Sequence, residues 1–457
     1  MTIIETGDRR VVSIIKKKIS PDKYYCLSNY TFLYSDDRTH LLRNTLTGMT
    51  AALSDAEWAC MKIARKQPIN GAELMDAGLE ELVWYCFLVV KDTDDYKLYE
   101  LAVSVLKNMS REEKGTKAYT ILSTTGCNAR CAYCYEEGMP VQTMSEETAD
   151  CVADFIEKTR WQNMIKLIWF GGEPLAGSRI ISRICNRLNE KNVPFRSKLV
   201  TNATLLTPKL LDEAVELWHL DSAQVSVDGK REDYEARKRY VDPSAHHYDA
   251  MIHAVGIMLE RGLKVTLRCN YDGDNQEGLT EFFDDVKARF GCPDNLSVYP
   301  AILFQAHADE SCIDLYRKKQ MLNAYLRELG LKKEDKINQP HKLKLNLCGA
   351  DSGDKCVVIA PDGKLYHCEH LPGNTSFGSV FDLQTSIYSD ERANLSADER
   401  CRTCSFLPEC TPFFRNGCPD FFDRCRAFRK IETDEAMRRL ILNLGAAQIP
   451  DGAGYAV

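Results

Sequence analysis

An α/β architecture is what this sequence predicts: a partial barrel of six strand–helix units, a smaller winged-helix-like module ahead of it, and a cysteine-rich domain behind it. Three observations carry that expectation. From Tyr119 to about Leu303 short apolar runs alternate with helix-period runs six times over, the pattern of a parallel sheet with crossover helices. Helix starts stand between those runs, with Ser145 ahead of Glu146 and Glu147, and Thr207 as N-cap before Pro208 at the first helical position. Finally, three closely spaced cysteines follow directly on the first strand, where parallel barrels collect their chemistry.

Residues 1–115 form the first unit. From Lys23 this segment opens strand-like with YYCLSNYTFLY and THLLRN and turns at TLTG. It then runs helical through LSDAEWACMKIARK and AELMDAGLEELVWYC before a returning strand in FLVVKDTDDY. Two strands, helices and a returning strand make the winged-helix-like module. Residues 116–310 form the barrel, with strands in AYTILSTT, KLIWFGG, SKLVTN, AQVSVDG, KVTLRCN and NLSVYPAIL. A bridging helix and the polar linker LKKEDKINQPHK fill 311–344, the cysteine-rich domain covers 345–430, and an amphipathic helix and tail occupy 431–457.

Composition narrows the class. With 457 residues of which 44% are hydrophobic, each unit can bury a core. No apolar stretch has membrane length and no signal peptide opens the chain, so a cytoplasmic protein without a membrane partner is expected. The net charge of −7 argues against nucleic acid as a partner. Nineteen cysteines are many for a reducing compartment, where clustered thiols serve as metal ligands. Eleven fall in two dense groups; the other eight, Cys26, Cys60, Cys86, Cys151, Cys185, Cys269, Cys292 and Cys312, mostly sit in apolar surroundings and read as inert buried thiols.

The first group, Cys127, Cys131 and Cys134 in TTGCNARCAYCYEEG, has the spacing C-x3-C-x2-C. Three thiolates hold three irons of a 4Fe-4S cubane and leave the fourth open for a small chelating molecule. A zinc loop or a ferredoxin-type site is the alternative, although each normally brings a fourth ligand. With Tyr133 just before the last cysteine, the stretch resembles the radical S-adenosylmethionine (SAM) enzymes. That resemblance implies a cluster whose open iron binds the amino and carboxylate groups of SAM, and a 5'-deoxyadenosyl radical that abstracts a substrate hydrogen.

The resemblance extends to the other strand ends. Gly171, Gly172, Glu173 and Pro174 end the second strand, where paired glycines let backbone approach a ligand; in the family this turn bonds the methionine amino group. Thr201 and Asn202, Ser226, Arg237 and Asn270 lie where the family places its remaining SAM contacts, and Ser226 with Arg237 are the candidates for the methionine carboxylate. A solvated helix face within EARKRY is the other reading of Arg237.

The second group runs Cys348, Cys356, Cys368, Cys401, Cys404, Cys410, Cys418 and Cys425, with Gly363 ahead of Cys368. This resembles the SPASM extension with its two auxiliary 4Fe-4S clusters; two zinc ions are the alternative. The resemblance implies Cys348, Cys356, Cys368 and Cys418 on the first cluster and Cys401, Cys404, Cys410 and Cys425 on the second. The seven residues between Cys410 and Cys418 depart from the family's usual three, which leaves the partition of Cys418 and Cys425 open. Glu369 is a candidate base, placed where the sulfatase-maturing enzymes have an aspartate, and Asp228 is a second.

Together these expectations describe a radical SAM peptide maturase with three 4Fe-4S clusters, SAM, and a low-potential reductant such as flavodoxin or ferredoxin. The first module resembles a leader-recognition domain that captures a precursor peptide by strand addition, and the product is a cross-link with a thioether as the leading case. The alternatives are an anaerobic sulfatase-maturing enzyme that makes formylglycine, and a non-catalytic iron-sulfur electron carrier.

Overall fold

The computed structural model describes residues 1–4, 6–35, 39–110, 115–303, 311–333, 343, 356–369, 376–382 and 402–409. The amino-terminal part contains β1 (Thr2–Ile4), α1 (Arg9–Ile15), β2 (Tyr24–Leu27), β3 (Thr31–Ser35), β4 (His40–Asn44) and β5 (Thr50–Leu53). It continues with α2 (Asp55–Ala64), β6 (Ile69–Asn70), α3 (Gly71–Asp76), α4 (Glu80–Trp84), β7 (Leu88–Val90) and α5 (Asp95–Ser110). Ser54 and Glu57 close a capping box at the start of α2, which fixes where that helix begins.

Two expectations for this part are corrected. YYCLSNYTFLY is not one strand: its halves β2 and β3 lie in separate sheets, ordered β6-β2-β7 and β1-β5-β4-β3. The chain breaks at Ser28, whose hydroxyl donates to Asp95 Oδ1 at 2.6 Å, and the Asn29 amide donates to Asp95 Oδ2 at 3.0 Å. A carboxylate that takes backbone donors competes with the strand ladder. AELMDAGLEELVWYC is likewise two helices, parted at Gly78 with φ +66°, the left-handed conformation in which glycine ends a helix without Cβ strain.

The barrel is built from β8 (Ala118–Thr124), α6 (Glu146–Thr159), β9 (Ile165–Gly171), α7 (Ser178–Glu190), β10 (Phe195–Thr201), α8 (Pro208–Glu216) and β11 (Leu220–Val227). There follow α9 (Arg231–Lys238), α10 (His247–Glu260), β12 (Lys264–Tyr271), α11 (Leu279–Phe290), β13 (Leu296–Ile302) and α12 (Ser311–Glu328). The six strands pair in parallel and in chain order, and the fourth unit carries two helices where one was expected. Beyond β8 the sheet continues into β14 (Cys356–Ile359), parallel to it, and then into β15 (Lys364–Tyr366) and β16 (Gly378–Ser379).

Alternation along the strands sends one set of side chains to the helices. Tyr119 and Ile121 of β8, Leu167 and Trp169 of β9, Leu199 of β10 and Leu267 of β12 share one buried core with Phe155, Ile184 and Phe283 of the helices. Because the strands run the same way, the loops after β8 to β12 meet at one rim. Cys86, Cys185 and Cys269 are buried as expected, but Cys292 is exposed: it follows the left-handed Gly291 that ends α11, and its Sγ lies 2.8 Å from Lys287 Nζ. Among the described residues no helix is long and apolar enough to cross a membrane. Most of the linker and the whole carboxy-terminal helix lie outside the described residues.

Candidate active site

After β8 the chain leaves the rim as a loop carrying Cys127, Cys131 and Cys134. Backbone bonds fasten that loop on two sides. Gly172 N and Glu173 N donate to Thr124 O and Gly126 O at 3.1 and 2.9 Å. Across the loop, Arg130 N donates to Lys238 O at 2.9 Å, Ala132 N to Arg237 O at 3.3 Å, and Val241 N to Asn128 O at 2.9 Å. A Cβ on Gly171 would stand 2.2 Å from Thr124 O, and one on Gly172 2.5 Å from Gly126 O. The close neighbour that requires both glycines is therefore the triad loop itself. Pro174 opens the short 3-10 turn Pro174–Gly177 that follows.

The three thiols line one cavity of about 140 Å³ with Arg130, Glu136 and Met139. Burial pushes the Cys127 thiol up to about 12 and raises Cys131 and Cys134 as well, so these groups ionise when a metal displaces their protons. Among the described residues no three His, Cys, Asp or Glu side chains converge on a point that would hold a single ion. In a cubane each thiolate takes its own iron. The donor set fits a 4Fe-4S cluster held by three protein ligands.

Glu173, Thr201 and Asn202 are brought together, and they bond chiefly to one another. The buried Glu173 carboxylate accepts from Leu175 N at 3.1 Å, Thr201 Oγ1 at 2.6 Å and Asn202 N at 2.8 Å. Asn202 Nδ2 donates in turn to Asn128 Oδ1 at 2.8 Å, between the first two cysteines. Burial raises the Glu173 carboxyl above its ordinary value, against the pull of these donors. The group thus forms a bracket from β9 and β10 to the triad loop.

A second network gathers at the ends of β11 and β12, and its centre is Tyr133. The Tyr133 hydroxyl donates to Asp228 Oδ1 at 2.6 Å and accepts from Lys238 Nζ at 3.1 Å and Asn270 Nδ2 at 3.2 Å. Lys238 Nζ also donates to Ser226 Oγ at 3.0 Å and lies 3.2 Å from Asp228 Oδ2. That last contact is an ion pair without hydrogen-bond alignment, which leaves Asp228 Oδ2 buried and unmatched. Burial alone would lower the Lys238 ammonium, but the Asp228 charge beside it raises it well above the usual lysine value.

Ser226 and Arg237 both lie at this rim, in separate contacts. The cation that reaches Ser226 is Lys238, because one residue along a helix turns the side chain by about 100°. Arg237 instead donates to Asp272 Oδ2 at 2.5 Å and lies 5.7 Å from the Tyr133 ring centre, with its Nε buried and unmatched. Unmatched polar atoms at a strand rim suit a site completed by a polar ligand, and the rim fits a charged amino-acid moiety such as that of SAM. Sequence reasoning missed Lys238, which EARKRY presents as one more solvated charge. It also missed Glu136, a triad-cavity residue with one oxygen buried and unmatched and a carboxyl that burial pushes up to about 7. Asp228, a candidate base, has its carboxylate engaged by Tyr133 and Lys238.

Of the second cysteine group, Cys356, Cys368 and Cys404 are described; Cys348, Cys401, Cys410, Cys418 and Cys425 lie outside the described residues. Cys356 opens β14 at the level of Ala118 in β8, Val358 pairs with Tyr366, and Cys368 follows two residues after β15 ends. Glu369 adjoins Cys368, and its charge is felt at Tyr135 beside the triad.

Residues 121–286 match the family described as the radical SAM superfamily. The chain is 31% identical over 283 residues to the uncharacterized protein MJ0907 of Methanocaldococcus jannaschii, spanning 59% of this chain and 90% of that protein. It is 26% identical over 213 residues to a probable GTP 3',8-cyclase of Methanocella arvoryzae, spanning 45% of this chain and 65% of that protein. Among solved structures, anSMEcpe with bound AdoMet superposes with a TM-score of 0.56 at 14% identity, covering 73% of this chain and 96% of that one. The same protein with AdoMet and the Kp18Cys peptide gives 0.56 at 14%, covering 72% and 99%. At that identity the likeness is one of fold. A rim that gathers three cysteines, a glycine turn and a charged network on a parallel partial barrel agrees with the sequence match: the chain belongs to the radical SAM superfamily.

Proposed function

We propose that this chain is a peptide-modifying radical SAM enzyme that cross-links a ribosomally made precursor, with a thioether as the product. The observation that carries the reading is the hairpin β14–β15, joined to β8, which brings Cys356 into the barrel sheet and leaves Cys368 two residues beyond the end of β15. Two thiols on one hairpin and its exit are half the ligand set of an auxiliary 4Fe-4S cluster. Cys348, Cys401, Cys404, Cys410, Cys418 and Cys425 complete that cluster and hold a second one over residues 345–430. In the proposed site SAM and the triad cluster supply a 5'-deoxyadenosyl radical.

The balance of the reaction needs the auxiliary clusters. Forming the C–S bond removes one carbon-bound hydrogen atom, one thiol proton and one electron from the substrate; SAM at the triad would supply the acceptor of the hydrogen atom, and clusters held by the second cysteine group would take the electron. Glu369 takes the proton. Around the reacting centre the Glu173 bracket holds the triad loop, while Ser226, Lys238 and Arg237 receive the ligand's charged end with Asn270 and Asp228 behind them. Residues 1–115 bind the leader by strand addition. β3, an edge of the sheet β1-β5-β4-β3 and longer than the three-residue β1 at the other edge, is the proposed docking strand. A flavodoxin or ferredoxin supplies the low-potential electron.

Mass spectrometry of a Cys-containing precursor, incubated anaerobically with reconstituted enzyme, SAM and reductant, tests this. The expected product has lost two hydrogens and one alkylatable thiol, and neither change occurs with Cys127, Cys131 and Cys134 replaced by Ala. Conversion of a Cys or Ser to an aldehyde would point to sulfatase-type maturation. Deoxyadenosine with an unchanged peptide would refute cross-linking of that substrate.

A further inference from the structure

We propose that Lys238 sets the reduction potential of the cluster held by Cys127, Cys131 and Cys134, acting as a buried cation that compensates the electron the cluster takes up. This rests on the reading of those cysteines as cluster ligands. Lys238 is the last residue of α9, and its side chain is 3% exposed. One residue meets the triad loop twice: its carbonyl accepts the Arg130 amide at 2.9 Å, and its Nζ lies 3.1 Å from the hydroxyl of Tyr133, between Cys131 and Cys134.

A buried ammonium is costly unless matched, and Asp228 matches it only in part. A cluster that accepts one electron from the reductant becomes one unit more negative. A fixed positive charge nearby stabilises that reduced form more than the oxidised one, an effect that low dielectric enlarges. Lys238 is already charged, so no proton has to follow the electron.

EPR-monitored redox titration of the reconstituted full chain, following the cluster signal that changes on adding SAM, is the test. At the potential where half the wild-type cluster is reduced, Lys238→Met should lower the reduced-to-oxidised ratio about tenfold, or about 59 mV for one electron. Lys238→Arg keeps the charge and should hold the ratio within about threefold. Asp228→Asn removes the counter-charge and should move the ratio the opposite way. An unchanged ratio in Lys238→Met, with the SAM-responsive signal intact, overturns the proposal. If that variant fails to assemble a cluster, Asp228→Asn decides, and no shift there overturns it equally. A wild-type chain with no SAM-responsive signal would refute the cluster reading itself.

Discussion

Glu173 is the residue on which the geometry of the triad loop turns. Its carboxylate has three donors aimed at it, from Leu175, Thr201 and Asn202. In Glu173→Gln one oxygen becomes an NH2 that faces a donor, so a buried bond is lost and a buried polar group is left unmatched. The expected cost is about 1–3 kcal/mol, read as a lower thermal midpoint, with less iron per chain because Asn202 no longer steadies Asn128. Wild-type stability in this variant would show that the bracket is not structural. The variant should also remove a pH dependence. Burial raises the Glu173 carboxyl in the folded chain, so its contribution is complete below the unfolded value and lost as pH rises through the folded one. Stability falling with pH over that window in wild type, and flat in the variant, checks the sign.

Helix ends and strand edges, rather than helix bodies, place the functional groups. α9 stops at Lys238 because Arg239 takes a left-handed conformation, φ +49°, and the chain turns back so that Val241 pairs with Asn128. Left-handed backbone costs a side-chain-bearing residue roughly 1–2 kcal/mol, most of which glycine avoids while losing chain entropy of similar size. Arg239→Gly should therefore stay within about 1 kcal/mol of wild type, whereas a β-branched Arg239→Val should lose more; denaturant midpoints separate the two. The hairpin β14–β15 carries a parallel expectation. Replacing Cys356 and Cys368 together by Ala should remove about four irons per chain, one 4Fe-4S cluster. Deoxyadenosine formation should persist, as these two cysteines are separate from the three assigned to the triad cluster. Loss of deoxyadenosine production with the triad cluster intact would contradict that separation.

Across the whole molecule, what the sequence made legible is what short-range chemistry determines. The six barrel strands follow from period-2 burial, and α6 and α8 begin at Ser145 and Thr207 because those hydroxyls accept the first free amides. The triad and the glycine turn were readable from spacing. Hidden were features that depend on partners far along the chain: the break at Ser28 is set by Asp95, β14 joins β8 across more than two hundred residues, and Lys238 turns inward only in three dimensions. The docking of residues 402–409 on the amino-terminal part belongs with these. Thr45 Oγ1 donates to Ser405 O at 2.6 Å, Asn29 Nδ2 donates to Thr403 O at 3.0 Å, Phe32 lies 4.6 Å from Phe406 between ring centres, and Arg43 pairs with Glu409 at 2.6 Å with both side chains 18% exposed. Cys404 is buried in the same contact with Tyr30 and Tyr96. An ion pair this sheltered leaves a poorly solvated charge when one partner is removed, and truncating a packed aromatic adds a cavity. Arg43→Ala combined with Phe32→Ala should therefore release residues 402–409, seen as faster amide hydrogen exchange there, while the amides of β8 to β13 keep their protection. Uniformly faster exchange through the barrel strands would mean that the amino-terminal part and the barrel unfold as one unit, and unchanged exchange at 402–409 would mean that this contact contributes little to holding the segment.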